Sequence, residues 1–280
     1  MIRITDVTSA ANPVLKSLKS LAEKRGRRAA GQFLAEGLRV CTEALAAGQV
    51  PATLVFTPEA ERHPLTQALI SAAGAAHATI LRTTPDLMQR LTGKDNAAGV
   101  AAAYPIPDTS LARIDRRTSN LWLVAENLKD PGNFGTMLRT CDATGAGGVI
   151  LLDQSCDPFS VEAVRASMGA LFSRQVARAT GTEFFTWLRS GDGQLVGAAL
   201  AGRTVDYRAH AYAAPCFLFM GNEQSGLPEA YASQCDALVR LPMHGTADSL
   251  NVAVCAGVLL YHGLDRLSPS PSAAGHPHRH

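Results

Sequence analysis

The chain has 280 residues, of which 46% are hydrophobic and 18% are charged, and its formal net charge is +2. These values are typical of a globular protein that is long enough for two domains with sizeable cores. No apolar run reaches the length of about 18 residues that a membrane span needs, and the N-terminus lacks the apolar core and cleavage site of a signal peptide. We therefore expect neither a membrane protein nor a secreted one.

The six cysteines are scattered along the chain, and no two of them form a C-x-x-C pair. No histidine lies near them at the spacing of a metal site. The pattern argues against zinc and predicts free thiols in a reducing cytoplasm. We expect a cytoplasmic protein that holds no metal.

Positive charge is concentrated in the first 40 residues, where eight Lys or Arg stand against three acids. Basic clusters in a near-neutral chain are typical of nucleic-acid binding, although a solvated helix face gives the same pattern. Within this cluster, Lys24–Arg28 places a glycine among cationic residues, which favours a flexible turn that contacts phosphate. Its candidate RNA contacts are Arg25, Arg27 and Arg28, which would add affinity without specifying sequence.

Helix and strand patterns alternate up to residue 107, which predicts a first, smaller α/β domain over residues 1–107. The expected helices are 13–24, 38–47, 64–73 and 84–91, and the expected strands are 33–35, 50–56, 78–82 and 99–103. Prolines at 105 and 107 and the polar stretch 115–120 then indicate a linker, which we place at residues 108–118.

The second half of the chain, residues 119–267, predicts a largely parallel sheet that is covered on both faces. The expected strands are 121–125, 147–152, 176–179, 195–199, 217–220 and 237–241, and the expected helices are 134–144, 161–171, 182–189 and a long one from Ser249. Either Asp248 or Ser249 is a candidate N-cap of that last helix. Ligands of such sheets bind beyond the carboxyl ends of the strands, so 126–133, 221–228 and 243–249 are the candidate ligand loops. The Pro/Ser/His-rich tail 268–280 is expected to be disordered.

The common nucleotide and hydrolase motifs are missing. No Gly-Lys-Ser/Thr occurs, so there is no Walker loop, and Gly145–Gly148 precedes a strand where a dinucleotide fingerprint would follow one. Ser225 lacks the glycine two residues earlier that a hydrolase elbow requires. A nucleotide-dependent oxidoreductase is therefore disfavoured.

Three segments of the second half are rich in glycine and short polar residues. In chain order they are DPGNFGTMLRT (130–140), FMGNEQSGLP (219–228) and LPMHGTADSLNVAVC (241–255). Their composition, order and spacing resemble the three motifs of the SpoU (TrmH) family of RNA ribose 2′-O-methyltransferases, over roughly residues 119–265. Residues 12–107, with GQFLAEG at 31–37, resemble the ribosomal-protein-like substrate-binding domain often found ahead of that catalytic domain.

The resemblance implies a SPOUT-type α/β fold, in which the C-terminal segment of a parallel-sheet domain threads a loop to form a deep trefoil knot. Periodicity alone would not predict this, because chains almost never knot. The resemblance further implies S-adenosylmethionine bound in the knot, and a homodimer whose active site is built from both subunits.

The resemblance also implies a set of cofactor-binding residues. They are Met220, Gly221, Asn222, Leu241, Met243, Ser249 and Leu250. A glycine at 221 lets the backbone approach a ligand closely, although a turn after a strand also favours glycine. Met243 and Leu250, taken alone, are more typical of a core.

The implied catalytic residues are Arg139, Asn133, Glu223, Ser249 and Asn251. The family assigns the arginine to deprotonating the ribose hydroxyl, yet a guanidinium is normally charged. Two versions stay open: a neutral arginine in a perturbed site, or a cationic arginine that stabilises the alkoxide while phosphate or water takes the proton. Glu223 would hold backbone N–H groups of a neighbouring loop or orient Asn133, and the short polar side chains would orient an arginine or a ribose hydroxyl.

Arg165 lies in a further segment that matches the family and would contact RNA phosphate, with helix packing as an equal alternative. The front domain favours ribosomal RNA, most specifically 23S rRNA, over tRNA as the substrate. A non-catalytic RNA-binding or ribosome-assembly factor on the same fold is the alternative, and the joint presence of the five polar catalytic candidates argues against it. The motifs neither support nor exclude a role in antibiotic resistance.

Overall fold

Two β-sheets organise the chain, one built from residues before 106 and the other from residues after 120. The computed structural model describes residues 2–92, 99–200 and 203–267. The tail expected to be disordered, 268–280, lies outside the described residues. We label the elements in chain order.

The first sheet has five strands in the order β1-β4-β3-β5-β2, in which β2 and β3 each pair antiparallel with β5. Its strands are β1 (Thr5–Val7), β2 (Gln32–Glu36), β3 (Thr53–Phe56), β4 (Thr79–Thr83) and β5 (Val100–Pro105). The helices of this part are α1 (Pro13–Ser20), α2 (Lys24–Ala30), α3 (Leu38–Ala46), α4 (Pro58–Glu61), α5 (Pro64–Ala75) and α6 (Pro85–Thr92). The alternation of helix and strand that the sequence predicts is confirmed here.

The expected flexible turn at Lys24–Arg28 is wrong, because this segment is helix α2. Its glycine serves packing: a Cβ at Gly26 would lie 1.9 Å from the carbonyl oxygen of Ser20. The side chain of Arg27 donates to the carbonyl oxygens of Leu21 and Ala22, both at 2.8 Å, and so fixes α2 against the end of α1. Tertiary contacts thus replace the single helix expected at 13–24 by two short ones.

The second sheet has seven strands in the order β10-β12-β9-β11-β6-β7-β8, and every neighbouring pair is parallel. Its strands are β6 (Leu121–Glu126), β7 (Gly148–Leu152), β8 (Gln175–Ala179), β9 (Gln194–Ala198), β10 (Val205–Asp206), β11 (Cys216–Met220) and β12 (Ala237–Arg240). The helices are α7 (Pro131–Thr144), α8 (Val161–Ala166), α9 (Ala170–Ser173), α10 (Gly181–Arg189), α11 (Glu229–Ala232) and α12 (Val252–Leu267). The predicted parallel sheet is confirmed, with separate apolar clusters on its two faces.

One local expectation fails in this half. The helix expected at 161–171 is broken into α8 and α9, because Met168 and Gly169 adopt positive φ angles of 51° and 99°. In the segment expected to be the linker, 108–118, Arg116 is bound to helix α10. The guanidinium of Arg116 donates to the carbonyl oxygens of Leu188 and Trp187 and lies 4.0 Å from the centre of the Trp187 ring.

The two sheets meet in a shared core that we call the inter-sheet seam. Its apolar part is a group of rings in which Phe33 lies 5.2 Å from Phe159, and Tyr104 lies 4.7 Å from Phe172. Two ion pairs flank the rings, Arg27 with Asp157 and Arg165 with Glu36, each at 2.6 Å. Because apolar packing and charge pairing act together, the seam holds the sheets in a fixed orientation.

The seam corrects one of the expected RNA contacts and gives a second one a packing contact. The side chain of Arg27 is only 4% exposed, and Asp157 together with two backbone carbonyls takes up all three of its guanidinium nitrogens. It has no surface to offer a phosphate. Arg165 is half-exposed, and its Nη2 is bound to the carboxylate of Glu36 across the seam, while its contact with RNA phosphate stays a prediction. Arg25 and Arg28 remain on the surface.

All six cysteines lie within the described residues, and none of them forms a disulfide. Burial raises the pKa of the Cys41, Cys141 and Cys216 thiols to about 12, so these thiols stay protonated at neutral pH. Across the described ranges no helix is both long and apolar enough to cross a membrane.

Candidate active site

An open cleft of about 810 Å³ lies beyond the carboxyl ends of β9, β11 and β12. All seven residues expected to bind the cofactor line it: Met220, Gly221, Asn222, Leu241, Met243, Ser249 and Leu250. They come from two separate segments of the chain, and the parallel strands bring these to the same edge of the sheet. The walls combine apolar side chains with polar and charged ones, among them Arg203, Glu223 and Glu229.

The loop after β11 forms the base of the cleft and is closed by its own hydrogen bonds. The backbones of Asn222 and Gly226 bond each other in both directions, at 3.1 and 2.9 Å. A Cβ at Gly221 would lie 2.2 Å from the backbone of Gly226 and Leu227. The need for glycine at 221 therefore comes from the loop folding back on itself, where the sequence suggested the approach of a ligand.

The loop after β6 is tied to this base. Asn222 donates its side-chain N–H to the carbonyl oxygen of Asn127 at 2.9 Å, and Asn127 itself adopts a left-handed φ of 48°. Helix α7 starts directly afterwards, with Asp130 as its N-cap and Pro131 in its first turn. The carboxylate of Asp130 accepts from the backbone N–H of Asn133 at 2.6 Å. This capping fixes the start of α7 and turns the Asn133 side chain towards the cleft loops.

A chain of side-chain hydrogen bonds joins the three motif segments, 130–140, 219–228 and 241–255, beside the cleft. Asn251 donates to the side-chain oxygen of Asn133 at 3.0 Å, and Asn133 donates to the carboxylate of Glu223 at 3.4 Å. We call these three residues the rim. Of the two roles considered for Glu223, the structure shows the contact with Asn133.

Asn251 also corrects the start of the last helix. Helix α12 begins at Val252, and the side-chain oxygen of Asn251 accepts from the backbone N–H groups of Ala253 and Val254 at 2.9 and 3.3 Å. Neither Asp248 nor Ser249 is therefore the cap. Within the described part of the chain the Ser249 hydroxyl makes no hydrogen bond, and it faces the cleft.

Arg139 does not join the rim. It lies on α7 six residues after Asn133, roughly 9 Å along a helix axis, and its side chain is exposed. It lines a separate groove of about 340 Å³ together with residues of α3, α7 and the α8–α9 turn. A single chain thus brings Asn133, Glu223 and Asn251 together, keeps Ser249 in the cleft, and leaves Arg139 apart.

The sequence analysis missed Glu126 as a residue of the site. It ends strand β6 beneath the rim, is only 3% exposed, and its Oε2 has no hydrogen-bond partner among the described residues. Burial raises the pKa of its carboxyl, and the nearby Asp153 adds to this, while a hydrogen bond from the Asn127 side chain opposes it. An acid at the end of an apolar strand was the available signal, but its burial depends on how the loops close over it.

No group of His, Cys, Asp or Glu in the described ranges is arranged to hold a metal ion. The parallel sheet has a cleft at its carboxyl edge, with apolar and polar walls and a polar rim beside it. This arrangement is typical of an α/β domain that binds a small molecule with both apolar and polar parts.

Comparison with known families identifies both parts of the chain. Residues 120–261 match the SpoU rRNA methylase family, and residues 12–102 match the MRM3-like substrate binding domain. The first match covers the parallel sheet, the cleft and the rim. The chain belongs to the SpoU rRNA methylase family.

Individual relatives agree in length and fold. An AdoMet-bound rRNA methyltransferase from Sinorhizobium meliloti superposes with a TM-score of 0.87 at 36% identity, covering 95% of this chain and 99% of that one. A 23S rRNA (uridine(2479)-2′-O)-methyltransferase of Streptomyces viridochromogenes is 30% identical over 86% of this chain and 85% of its own. The 23S rRNA (guanosine(2553)-2′-O)-methyltransferase RlmP of Bacillus subtilis is 28% identical over 91% and 98%.

Proposed function

We propose that this protein transfers a methyl group from S-adenosylmethionine to a ribose 2′-hydroxyl of 23S ribosomal RNA. The single observation that carries the proposal is the rim, because three separate segments place Asn133, Glu223 and Asn251, which lie up to 118 positions apart, in one hydrogen-bonded chain beside the cleft. The relatives named for 23S rRNA and the matched substrate-binding part of the chain support RNA as the substrate.

The cleft fits S-adenosylmethionine in size and in chemistry. Its volume of about 810 Å³ lies within the range of small-molecule sites. Leu241, Met243 and Leu250 would offer apolar contact to the adenine ring, and the backbone of Gly221 would offer polar groups to it. When bound, the cofactor supplies an electrophilic methyl group on a positively charged sulfur.

The rim residues position the hydroxyl that accepts the methyl group. Asn133 is held from both sides, so its amide keeps one orientation. Amide oxygens accept and amide nitrogens donate, so the rim can bind a ribose hydroxyl in either sense. The Ser249 hydroxyl at the cleft wall provides a further polar contact.

Arg139 acts as a cation in this proposal. Guanidinium groups in proteins normally carry a positive charge throughout the accessible pH range. A cation beside the ribose stabilises the negative charge that develops on the 2′-oxygen, while a phosphate or water accepts the proton.

In a homodimer, Arg139 of one subunit would lie near the cleft of the other subunit. One face of α12 is open, with Val254 53% and Tyr261 56% exposed at a seven-residue spacing that places them on the same side of the helix. The half-buried Gly257 and Val258 lie between them and allow close approach. A second copy of this chain on the α12 face would present its Arg139 to the first copy's cleft, as the resemblance to the family implies.

Three further parts of the proposal follow the family. The segment 241–251 leaves β12, and α12 then packs back against α7, β11 and β6; we assign this return passage to the trefoil knot. The domain division stays at 1–107, 108–118 and 119–267. The cytoplasm is the proposed location, because the ribosomal substrate is found there.

The first test is calorimetry of the full chain with S-adenosylmethionine and with its demethylated product. We expect one site per subunit, followed by loss of one ribose methylation in 23S rRNA from cells that lack the gene. If no titration shows binding, with or without rRNA fragments, the chain is a non-catalytic RNA-binding factor and the proposal fails.

A mixing experiment tests the shared active site. Neither Arg139→Ala nor the cleft variant Leu250→Asp should methylate RNA alone. If Arg139 acts across the dimer, a mixture should recover up to about a quarter of wild-type activity, because half of the dimers are mixed and each has one intact site. An inactive mixture, with mixed dimers verified by differential tagging, would contradict the shared site.

A further inference from the structure

The groove that contains Arg139 joins both halves of the molecule. Its walls are one side of α3, which follows β2 of the first sheet, and α7 with the α8–α9 turn of the second. We call it the α3 groove. It is lined by Arg39, Glu43, Ala46 and Ala47 from α3 and its C-cap, and by Arg139, Asp142, Ser167, Met168, Gly169, Ala170 and Ser173 from the other side.

Two free cations face this groove. Arg39 and Arg139 are both exposed, and within the described ranges neither guanidinium has a hydrogen-bond or ion-pair partner. The nearby Asp142 is already neutralised, because its carboxylate accepts from Arg174 Nε and from the Ser173 hydroxyl, both at 2.8 Å. Glu43 is the one acid lining the groove, among the described residues, whose carboxylate is not engaged in this way.

The groove is already formed in the structure. A Cβ at Gly169 would lie 2.4 Å from the Cβ of Glu43, so a glycine at a φ of 99° is what lets α3 approach the α8–α9 turn. The ion pair of Arg165 with Glu36 and the contact of Phe33 with Phe159 fix β2, from which α3 departs, against α8. A ligand in the groove would therefore pay little ordering cost.

The chemistry of the groove fits a phosphodiester. Guanidinium groups bind phosphate oxygens through paired, charge-assisted hydrogen bonds. Small side chains at Ala46, Ala47 and Ala170 leave the floor open for a polymer backbone to pass. An arginine from each half of the chain would bind adjacent parts of one nucleic-acid strand.

We propose that Arg39 binds an RNA phosphate next to the nucleotide that is methylated, so that the α3 groove sets the position of that nucleotide relative to Arg139. This inference rests on the proposed function. It makes Arg39 a positioning residue and gives the first half of the chain a role at the reacting nucleotide, in addition to general attraction by the basic N-terminus.

The test compares Arg39→Ala with Arg62→Ala, which removes an exposed arginine elsewhere in the first half of the chain. RNA binding is measured without cofactor, at several salt concentrations, on a 23S rRNA fragment. We expect Arg39→Ala to weaken binding roughly tenfold, as for loss of a charged hydrogen bond, and to lower the salt slope by about one. Arg62→Ala should change neither.

A second variant is expected to change the affinity for RNA in the opposite direction. Glu43→Gln keeps the shape that packs against Gly169 but removes the negative charge from the groove. We expect it to tighten RNA binding by a few-fold. In methylation assays Arg39→Ala should raise KM at least as much as it lowers kcat, and Arg39→Lys should restore the salt slope while only partly restoring kcat, because lysine lacks the paired geometry.

The outcomes separate this inference from the proposed function. If Arg39→Ala matches Arg62→Ala in affinity and salt slope, the groove is not an RNA site, whatever the wild type methylates. If Glu43→Gln weakens RNA binding, removing negative charge from the groove does not favour RNA, and the proposal is wrong. Failure of the wild type to bind S-adenosylmethionine would overturn the proposed function and leave the binding comparison of Arg39 standing as its own test.

Discussion

The inter-sheet seam and the rim of the cleft both gather polar side chains from distant parts of the chain, but they use them differently. In the seam, Arg27 is buried and its guanidinium is fully engaged by Asp157 and two carbonyl oxygens. At the rim, Asn133 and Glu223 meet at 3.4 Å in the open. The exposed Arg139 nearby has no partner within the described residues.

The difference shows how the molecule divides stability from function. A buried polar group must be satisfied by its own protein, because leaving it unpaired costs about 1–3 kcal/mol. An exposed group is satisfied by water, which a substrate can replace. Seam substitutions should therefore change the free energy of unfolding, and rim or groove substitutions should change rates and affinities.

The largest effect is expected in the seam. Arg27→Ala would leave Asp157 without its partner, and breaking a buried ion pair costs about 3–5 kcal/mol of stability. Chemical denaturation of the full chain measures this. The matched control is Arg28→Ala, which removes the neighbouring exposed arginine of α2 and should change stability by no more than about 0.5 kcal/mol. Equal effects of the two would show that the seam is not stabilised by this pair.

Arg139→Ala should give the reverse pattern. We expect kcat to fall by about 100-fold to 1,000-fold, the range for loss of a group that stabilises an oxyanion. Affinity for S-adenosylmethionine and the unfolding midpoint should stay near the wild-type values, because the side chain is exposed and lies outside its own chain's cleft. Turnover that survives this substitution would contradict the assigned role.

The surface arginines of α2 allow a smaller test of the same division. Neutralising Arg25 and Arg28 together should weaken RNA binding and reduce the slope of log affinity against log salt by about 1.5, which corresponds to two lost phosphate contacts. Protein stability should be unaffected. If the slope does not change, the basic N-terminal cluster is a solvated helix face.

The smallest expected effect concerns pH and Glu126, which is buried beneath the rim. Because its pKa is raised in the folded state, the native protein binds more protons than the unfolded chain between the unfolded pKa and the higher folded one. Stability contributed by this group is thus lost as pH rises through that window. Glu126→Gln should lose less stability than the wild type as the pH rises above about 4.3, the ordinary pKa of a glutamate.

Urea denaturation at a series of pH values checks the direction in which stability changes with pH. The exposed Glu162→Gln on α8 serves as the control and should follow the wild-type curve. If the free energy of unfolding depends on pH in the same way for the wild type and Glu126→Gln, the buried carboxyl does not contribute to the pH dependence of stability.

Local patterns predicted most of the secondary structure and the parallel arrangement of the second sheet. They predicted β6, β7 and β11 within one residue at each end, because continuous apolar runs bounded by turn residues leave little choice. The boundaries failed where tertiary contacts intervene, as at α2, where Arg27 holds the segment helical, and at the α8–α9 turn.

By itself, the sequence determined the kinds of groups available and their order along the chain. The three motifs, with their asparagines, arginine and glycines, carried the resemblance that implied the family and the cofactor-binding residues. The pattern of strands and helices gave the candidate ligand loops, because strand ends are local features and parallel strands place their carboxyl ends along one edge.

Only the tertiary structure decided which of these groups are partnered. Arg27 and Asp157 lie 130 positions apart, and no local signal shows that the two will meet, so an apparent RNA contact became part of the seam. Asn251 rather than Ser249 caps α12, and Gly221 makes room for its own loop, for the same reason. Burial and pairing depend on contacts between segments that are distant in the chain, and these exist only once the two sheets have packed together.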